Sequence, residues 1–144
     1  MPLSSTWLLI LSLAIVSCGP GTRDEASAHP LTFADLPETY VHGFDEIPAG
    51  VHAFSGQRVS MEGHLVLIDD DEAYLMRAYE RIGCTTKMPG LEGRVRVALP
   101  EGHRGTADVR RARVVGVFTV GATMLDAYCL DLYQLRAEHL EFVE

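Results

Sequence analysis

From residue 57 onward the chain alternates apolar and polar residues with a period of two. Successive side chains on a β-strand point to opposite faces, so this alternation builds sheet with one face buried and the other wet. Residues 58–68 carry the longest run: Val59, Met61, Gly63, Leu65 and Leu67 share one face, with Arg58, Ser60, Glu62 and His64 on the other. Gly63 stands inside the run, where a glycine marks a bulge or sharp bend. Asp69, Asp70 and Asp71 predict a turn, and residues 72–81 a second strand. A loop containing Gly and Pro, 82–93, precedes a third strand at 94–99, in which Val95, Val97 and Leu99 alternate with Arg94 and Arg96. A polar connection and one helical turn at 108–111 lead to two more strands, 112–120 and 127–135, with 136–144 extending the last strand or turning off it. A long first strand able to serve two sheets, followed by four others, predicts a mainly β fold. Its expected form is a small five-stranded Greek-key barrel of the OB type.

What precedes the alternation is irregular. Pro30, Pro37 and Pro48 forbid one long helix between residues 30 and 56. A short helical turn at 33–36 is expected there, with apolar residues such as Leu31, Phe33 and Leu36 packing onto the strands that follow. Residues 19–29 are small, polar and charged, the composition of a flexible tether.

The first 17 residues contain no charged side chain, and residues 7–16 read WLLILSLAIV. A membrane span needs ~20 apolar residues, so this run fits the core of a signal peptide. Directly after it, Ile15-Val16-Ser17-Cys18 resembles the lipobox of bacterial lipoprotein signals. The resemblance implies a diacylglyceryl thioether on Cys18 and cleavage after Ser17. Two or three acyl chains hold a domain at a bilayer far more firmly than one. Gly19, rather than Asp, follows the cysteine, which by the same resemblance implies the periplasmic face of the outer membrane. An ordinary secretory signal with an incidental Cys18 is the alternative. The expected division is thus a signal peptide at 1–17, a lipid-anchored tether at 18–29, and a single domain at 30–144. The mature 127 residues (144 − 17) keep the whole net charge of −8.

The order of short motifs from Leu31 onward resembles the exported bacterial family DUF3299. These are Phe33-Ala34-Asp35-Leu36, then 56–63 (GQRVSMEG), a loop with Cys84 and Pro89, and the strand fragments 95–97, 114–116 and 128–130. The chain departs from the pattern in carrying Phe33 where tryptophan is usual, and Cys84-Thr85-Thr86 with one proline where members often have paired cysteines or several prolines. The resemblance implies an OB-like barrel, an exported or lipid-anchored location, no assigned catalytic activity, and genes beside ABC-type transport systems.

Beyond Cys18, two cysteines remain, Cys84 and Cys129. In an oxidising compartment they are candidates for a disulfide closing about 45 residues, worth roughly 3–4 kcal/mol in the chain-entropy model. Two unpaired thiols, or a metal or redox role, are the other readings. There is no CxxC pair for thioredoxin-like exchange. Histidines lack the spacing of zinc motifs, which leaves a site assembled across strands from His64, Cys84 and Cys129 as the metal alternative, with zinc as its ion. The acidic run 69–72 lacks the glycine and distal glutamate of a calcium loop and reads as a solvated turn. Arg110, Arg111 and Arg113, with Arg94 and Arg96, could line an outer face; with a net charge of −8 and an export signal, pairing with carboxylates is expected rather than nucleic-acid binding. No GxSxG, glycine-rich phosphate loop or nucleophile–base spacing is present. The expected function is therefore a non-catalytic, cofactor-free binding or adaptor module for another envelope component. The alternative is a periplasmic metal- or small-ligand-binding protein.

Overall fold

The computed structural model describes residues 27–36, 49–103 and 108–144; the apolar run at 7–16 and Cys18 lie outside them. The described chain is mainly β. Its strands are β1 (His29–Pro30), β2 (Arg58–Leu67), β3 (Glu72–Met76), β4 (Glu80–Ile82), β5 (Thr85–Lys87), β6 (Arg94–Ala98), β7 (Arg110–Leu125) and β8 (Tyr128–Phe142). Among the described residues, one helix, α1 (Ala49–His52), and a 3-10 turn at Phe33–Asp35 lie before β2.

The main sheet runs in the order β1-β2-β3-β6-β8-β7, and β7 pairs a second time with β2. The ladders β2–β3, β3–β6, β7–β8 and β2–β7 are antiparallel, and β6–β8 is parallel. The length of β2 makes the return pairing possible. Its first eight residues, Arg58 to Leu65, lie against β7, and His64 to Leu67 lie against β3. Burial in β2 follows the sequence alternation, with Val59, Met61, Gly63 and Leu65 all facing in. They meet Ala73 and Leu75 of β3, Val95 and Val97 of β6, Val114 and Phe118 of β7, and Tyr133 and Leu135 of β8. The Phe118 and Tyr133 rings stack with centroids 5.8 Å apart, and these are the two largest fully buried side chains. Each buried aliphatic or aromatic side chain contributes roughly 1.5–3 kcal/mol.

Residues 31–36, ahead of β2, fold onto this core as their side chains dictate. Asp35 accepts hydrogen bonds from the Thr32 amide and the Thr32 hydroxyl, both 2.8 Å, which closes the 3-10 turn. Those two donors hold the Asp35 carboxyl below its ordinary pKa. The turn then delivers Leu31, Phe33 and Leu36 into the core. The motif Phe33-Ala34-Asp35-Leu36 is thus a cap and two anchors.

Several boundaries differ from the sequence expectation, each for a physical reason. The strand expected over 72–81 stops at Met76, because the Arg77 amide turns to the Gly93 carbonyl (2.9 Å) and the chain leaves the sheet. The 82–93 loop contains a small hairpin, β4–β5, joined through Ile82 and Thr85. No register shift occurs at Gly63. The glycine is needed for close approach, since a Cβ there would lie 2.7 Å from the Met76 carbonyl oxygen. In place of a helical turn at 108–111, Arg110 already opens β7 opposite Leu65. β7 runs past its expected end at 120 to Leu125, and β8 continues to Phe142, one of the two courses expected for 136–144. Residues 121–125 of β7 pair with the start of β8 as a two-stranded ribbon whose β7 side chains are mostly exposed. Residues 136–142 of β8 instead pair with 112–117 and bring Ala137, Leu140 and Phe142 onto the core.

Candidate functional site

The outer face of β3, β6, β8 and β7 carries a polar ladder. Registers place Tyr74 opposite Arg96, Arg96 opposite Gln134, and Gln134 opposite Thr119. Glu72 sits one pleat along from Tyr74 and accepts a 2.5 Å hydrogen bond from the Arg96 guanidinium. Gln134 donates to the Thr123 hydroxyl at 2.9 Å. Above this ladder lies a groove of about 260 Å³, walled by Glu72, Arg96, Thr119, Thr123, Gln134 and Arg136.

Asp131 anchors the groove wall from below. It is the buried charged residue among the described residues, only 1% exposed. Its Oδ1 lies 3.5 Å from Arg94 Nε, and its Oδ2 lies 3.6 Å from Arg96 Nη1. The Tyr74 hydroxyl is a further neighbour of this carboxylate, which the two guanidiniums hold chiefly by charge. Arg94 is fixed independently: it donates to the Pro89 carbonyl (3.1 Å) and the Leu130 carbonyl, and lies over the Tyr74 ring at 5.6 Å. The position of Asp131 depends on the β7–β8 ladder, which slips between Val120 and Thr123 and sets Thr123 opposite Asp131.

This electrostatic arrangement fixes the protonation of its members. The hydrogen bond that Arg96 donates to Glu72 chiefly raises the Arg96 pKa, with Asp131 adding to it, so the guanidinium stays charged. Burial, and then the Asp131 carboxylate, push the Tyr74 hydroxyl above its ordinary pKa and keep it neutral. The same two causes, burial first, raise the Cys129 thiol. The result is a fixed array of charge and hydrogen-bonding groups. Arg136, exposed at the rim, has no acidic partner among the described residues.

The residues singled out from sequence are dispersed. Cys84 is exposed at the tip between β4 and β5, Cys129 is half-buried in β8, and both are free thiols. Cys129 donates weakly to the Asp131 carbonyl at 3.6 Å. His64 lies on β2 beside the Tyr79 ring, 6.5 Å between centroids. Among the described residues no three His, Cys, Asp or Glu side chains gather where they could share a metal ion.

The arginines divide into two groups. Arg111 and Arg113 reach Glu62 at 3.5 and 2.6 Å, and Arg113 also reaches Glu141 at 3.3 Å. Arg110 lies over the Phe142 ring at 4.4 Å. Arg94 and Arg96 belong to β6, with β8 standing between them and β7. Pairing with carboxylates is thus the rule for Arg111, Arg113 and Arg96, while no single stripe forms.

Sequence reasoning passed over Asp131 and Tyr74, and read Glu72 as part of a solvated acidic turn, whereas it pairs with Arg96. One signal was available: Asp131 interrupts the apolar fragment 128–133 (YCLDLY), and a carboxylate in such a strand needs a cationic partner.

No family model matches the chain, and no curated protein matches it. Among solved structures, a DUF3299 family protein from Pseudomonas aeruginosa superimposes with a TM-score of 0.57 at 16% sequence identity, covering 81% of this chain and 97% of that one. The family that the motif order resembles is thus also the family of this structural neighbour. The chain has the fold of a DUF3299 family protein.

Proposed function

We propose that the chain is a lipid-anchored protein of the bacterial envelope, held by acyl groups on Cys18 at the periplasmic face of the outer membrane. In this reading residues 1–17 are a signal peptide and 18–29 a tether. The domain that follows is a non-catalytic binding or adaptor module for another envelope component, such as an ABC-type transport system. We read its five principal strands as an OB-like Greek-key barrel. The support is the strand order: counting β2, β3, β6, β7 and β8 as one to five, the first pairs with both the second and the fourth, and the third runs parallel to the fifth. OB-type barrels bind ligands across strands two and three.

The observation that carries the binding role is the groove over that same face. Glu72 and Asp131 hold Arg96 in a single arrangement before any ligand arrives, so little side-chain freedom remains to be lost on binding. Arg136 and Gln134 at the rim offer donors to an acidic segment of a partner. The test is capture from detergent-solubilised envelopes with the intact lipoprotein as bait. The expected result is one recurrent envelope protein, lost on Arg136→Glu while circular dichroism shows the fold unchanged. Repeated captures without an envelope partner, or equal capture by Arg136→Glu, would overturn the reading.

A further inference from the structure

The strand directions bring two hairpin tips to one end of the sheet. β2 begins there, β3 ends there, β6 and β8 begin there, and β7 ends there, as the antiparallel and parallel registers require. The β7–β8 tip is a two-residue turn, with Asp126 at a φ of 52°, and it presents Met124, Leu125 and Tyr128, which are 42%, 59% and 75% exposed. The β4–β5 hairpin, inserted between the end of β3 and the start of β6, adds Ile82 at 60%.

The chain also enters the domain at this end. Ser27 accepts a hydrogen bond from Arg58, the first residue of β2, and His29 and Pro30 pair with Val59 and Ser60. Eight residues lie between Cys18 and Ser27, and even a fully extended chain over those nine Cα–Cα steps reaches only ~30 Å. The opposite end carries the acidic turn of Asp69, Asp70 and Asp71.

We propose that this apolar end docks on the lipid bilayer, with Leu125 and Tyr128 seated among the headgroups and upper acyl chains. The inference rests on the lipid-anchor reading above and adds an orientation to it. Two narrow projecting tips suit a soft, deformable surface, and tyrosine is favoured at membrane–water interfaces. The short tether keeps these tips within reach of the membrane and leaves the acidic end facing away from anionic headgroups. The same orientation leaves the polar groove on the side of the domain, open to a partner.

The mature chain has no tryptophan, since Trp7 lies in the segment removed with the signal. A tryptophan placed at Tyr128 therefore reports alone. The lipidated protein carrying Tyr128→Trp would be reconstituted into vesicles of phosphatidylethanolamine and phosphatidylglycerol, with and without brominated acyl chains. Ile68→Trp, at the opposite end and 48% exposed in the parent residue, serves as the control. The expected result is blue-shifted emission at position 128 that loses most of its intensity in brominated vesicles, with position 68 unaffected. Protein that co-floats with vesicles but shows water-exposed, unquenched emission at 128 overturns the docking while leaving the anchor intact. Blue-shifted emission without bromine quenching overturns it in favour of a protein contact. Failure to co-float, with no lipid mass on Cys18, overturns the anchor reading and the orientation with it.

Discussion

Asp131→Asn removes the charge beneath the groove while keeping the side chain's shape. The carboxylate is 1% exposed and faces Arg94 and Arg96 at 3.5 and 3.6 Å. At such separations and an effective dielectric near 20, each pair is attractive by roughly 5 kcal/mol. Withdrawing the carboxylate from water costs several kcal/mol, so its net contribution is a small difference. The substitution strands neither cation, because Arg94 keeps the Pro89 and Leu130 carbonyls and Arg96 keeps Glu72. The expected loss is therefore about 2 kcal/mol, below the ~3–5 kcal/mol typical when one partner of a buried pair is removed. In urea, with a slope of about 1.5 kcal/mol/M, the midpoint at neutral pH falls by about 1.3 M. A double-mutant cycle with Arg94→Gln isolates the pair and should return a coupling of about 1–3 kcal/mol. A coupling under ~0.5 kcal/mol, or an Asp131→Asn protein more stable than the parent, would refute the assignment of Asp131 as an electrostatic anchor.

Four further outcomes are expected. Gly116→Ala places a Cβ 2.1 Å from the Arg136 carbonyl oxygen and should cost about 3 kcal/mol in thermal or urea unfolding, whereas Gly121→Ala, which meets nothing within 4 Å, should stay within about 0.5 kcal/mol; equal effects would refute the close approach. Because burial and Asp131 raise the Tyr74 pKa, its stabilising contribution is fully present below the unfolded value near 10 and is lost as pH rises through the folded value. Tyr74→Phe should thus flatten the alkaline fall in urea midpoint, and an unchanged slope above about pH 10 would count against it. With a thiol reagent at neutral pH, exposed Cys84 should react at once and Cys129, half-buried with a raised pKa, only slowly, the difference vanishing in denaturant; equal native rates would contradict the burial. Cys18→Ala should abolish incorporation of labelled palmitate, and retained label would remove the proposed anchor.

The β2 face was legible residue by residue, because alternation at period two is written directly in the order of side chains. The short turn at 33–36 was legible for a similarly local reason, since Thr32 and Asp35 are three residues apart and cap each other. The ribbon of β7 and β8 was not. Residues 121–125 join Gly121, Ala122 and Thr123 to an exposed Met124 and Leu125, and what makes them strand is the partner strand alongside, not a buried face. The end of β3 escaped for the same reason: the Arg77 amide is claimed by Gly93, sixteen residues on.

The sequence by itself thus determined the class of fold, the inward face of its first long strand, and the small number of thiols and chelating groups available for chemistry. These follow from local order and composition. Only the tertiary structure decided that Asp131, Arg94, Arg96, Glu72 and Tyr74, drawn from three strands, form one charged wall. It also decided that Ile82, Leu125 and Tyr128 stand at the end where the chain enters. Both depend on which strands become neighbours and in what register, and one residue's slip in a ladder moves a side chain from core to solvent. That information belongs to contacts between distant parts of the chain, and no short window of sequence contains it.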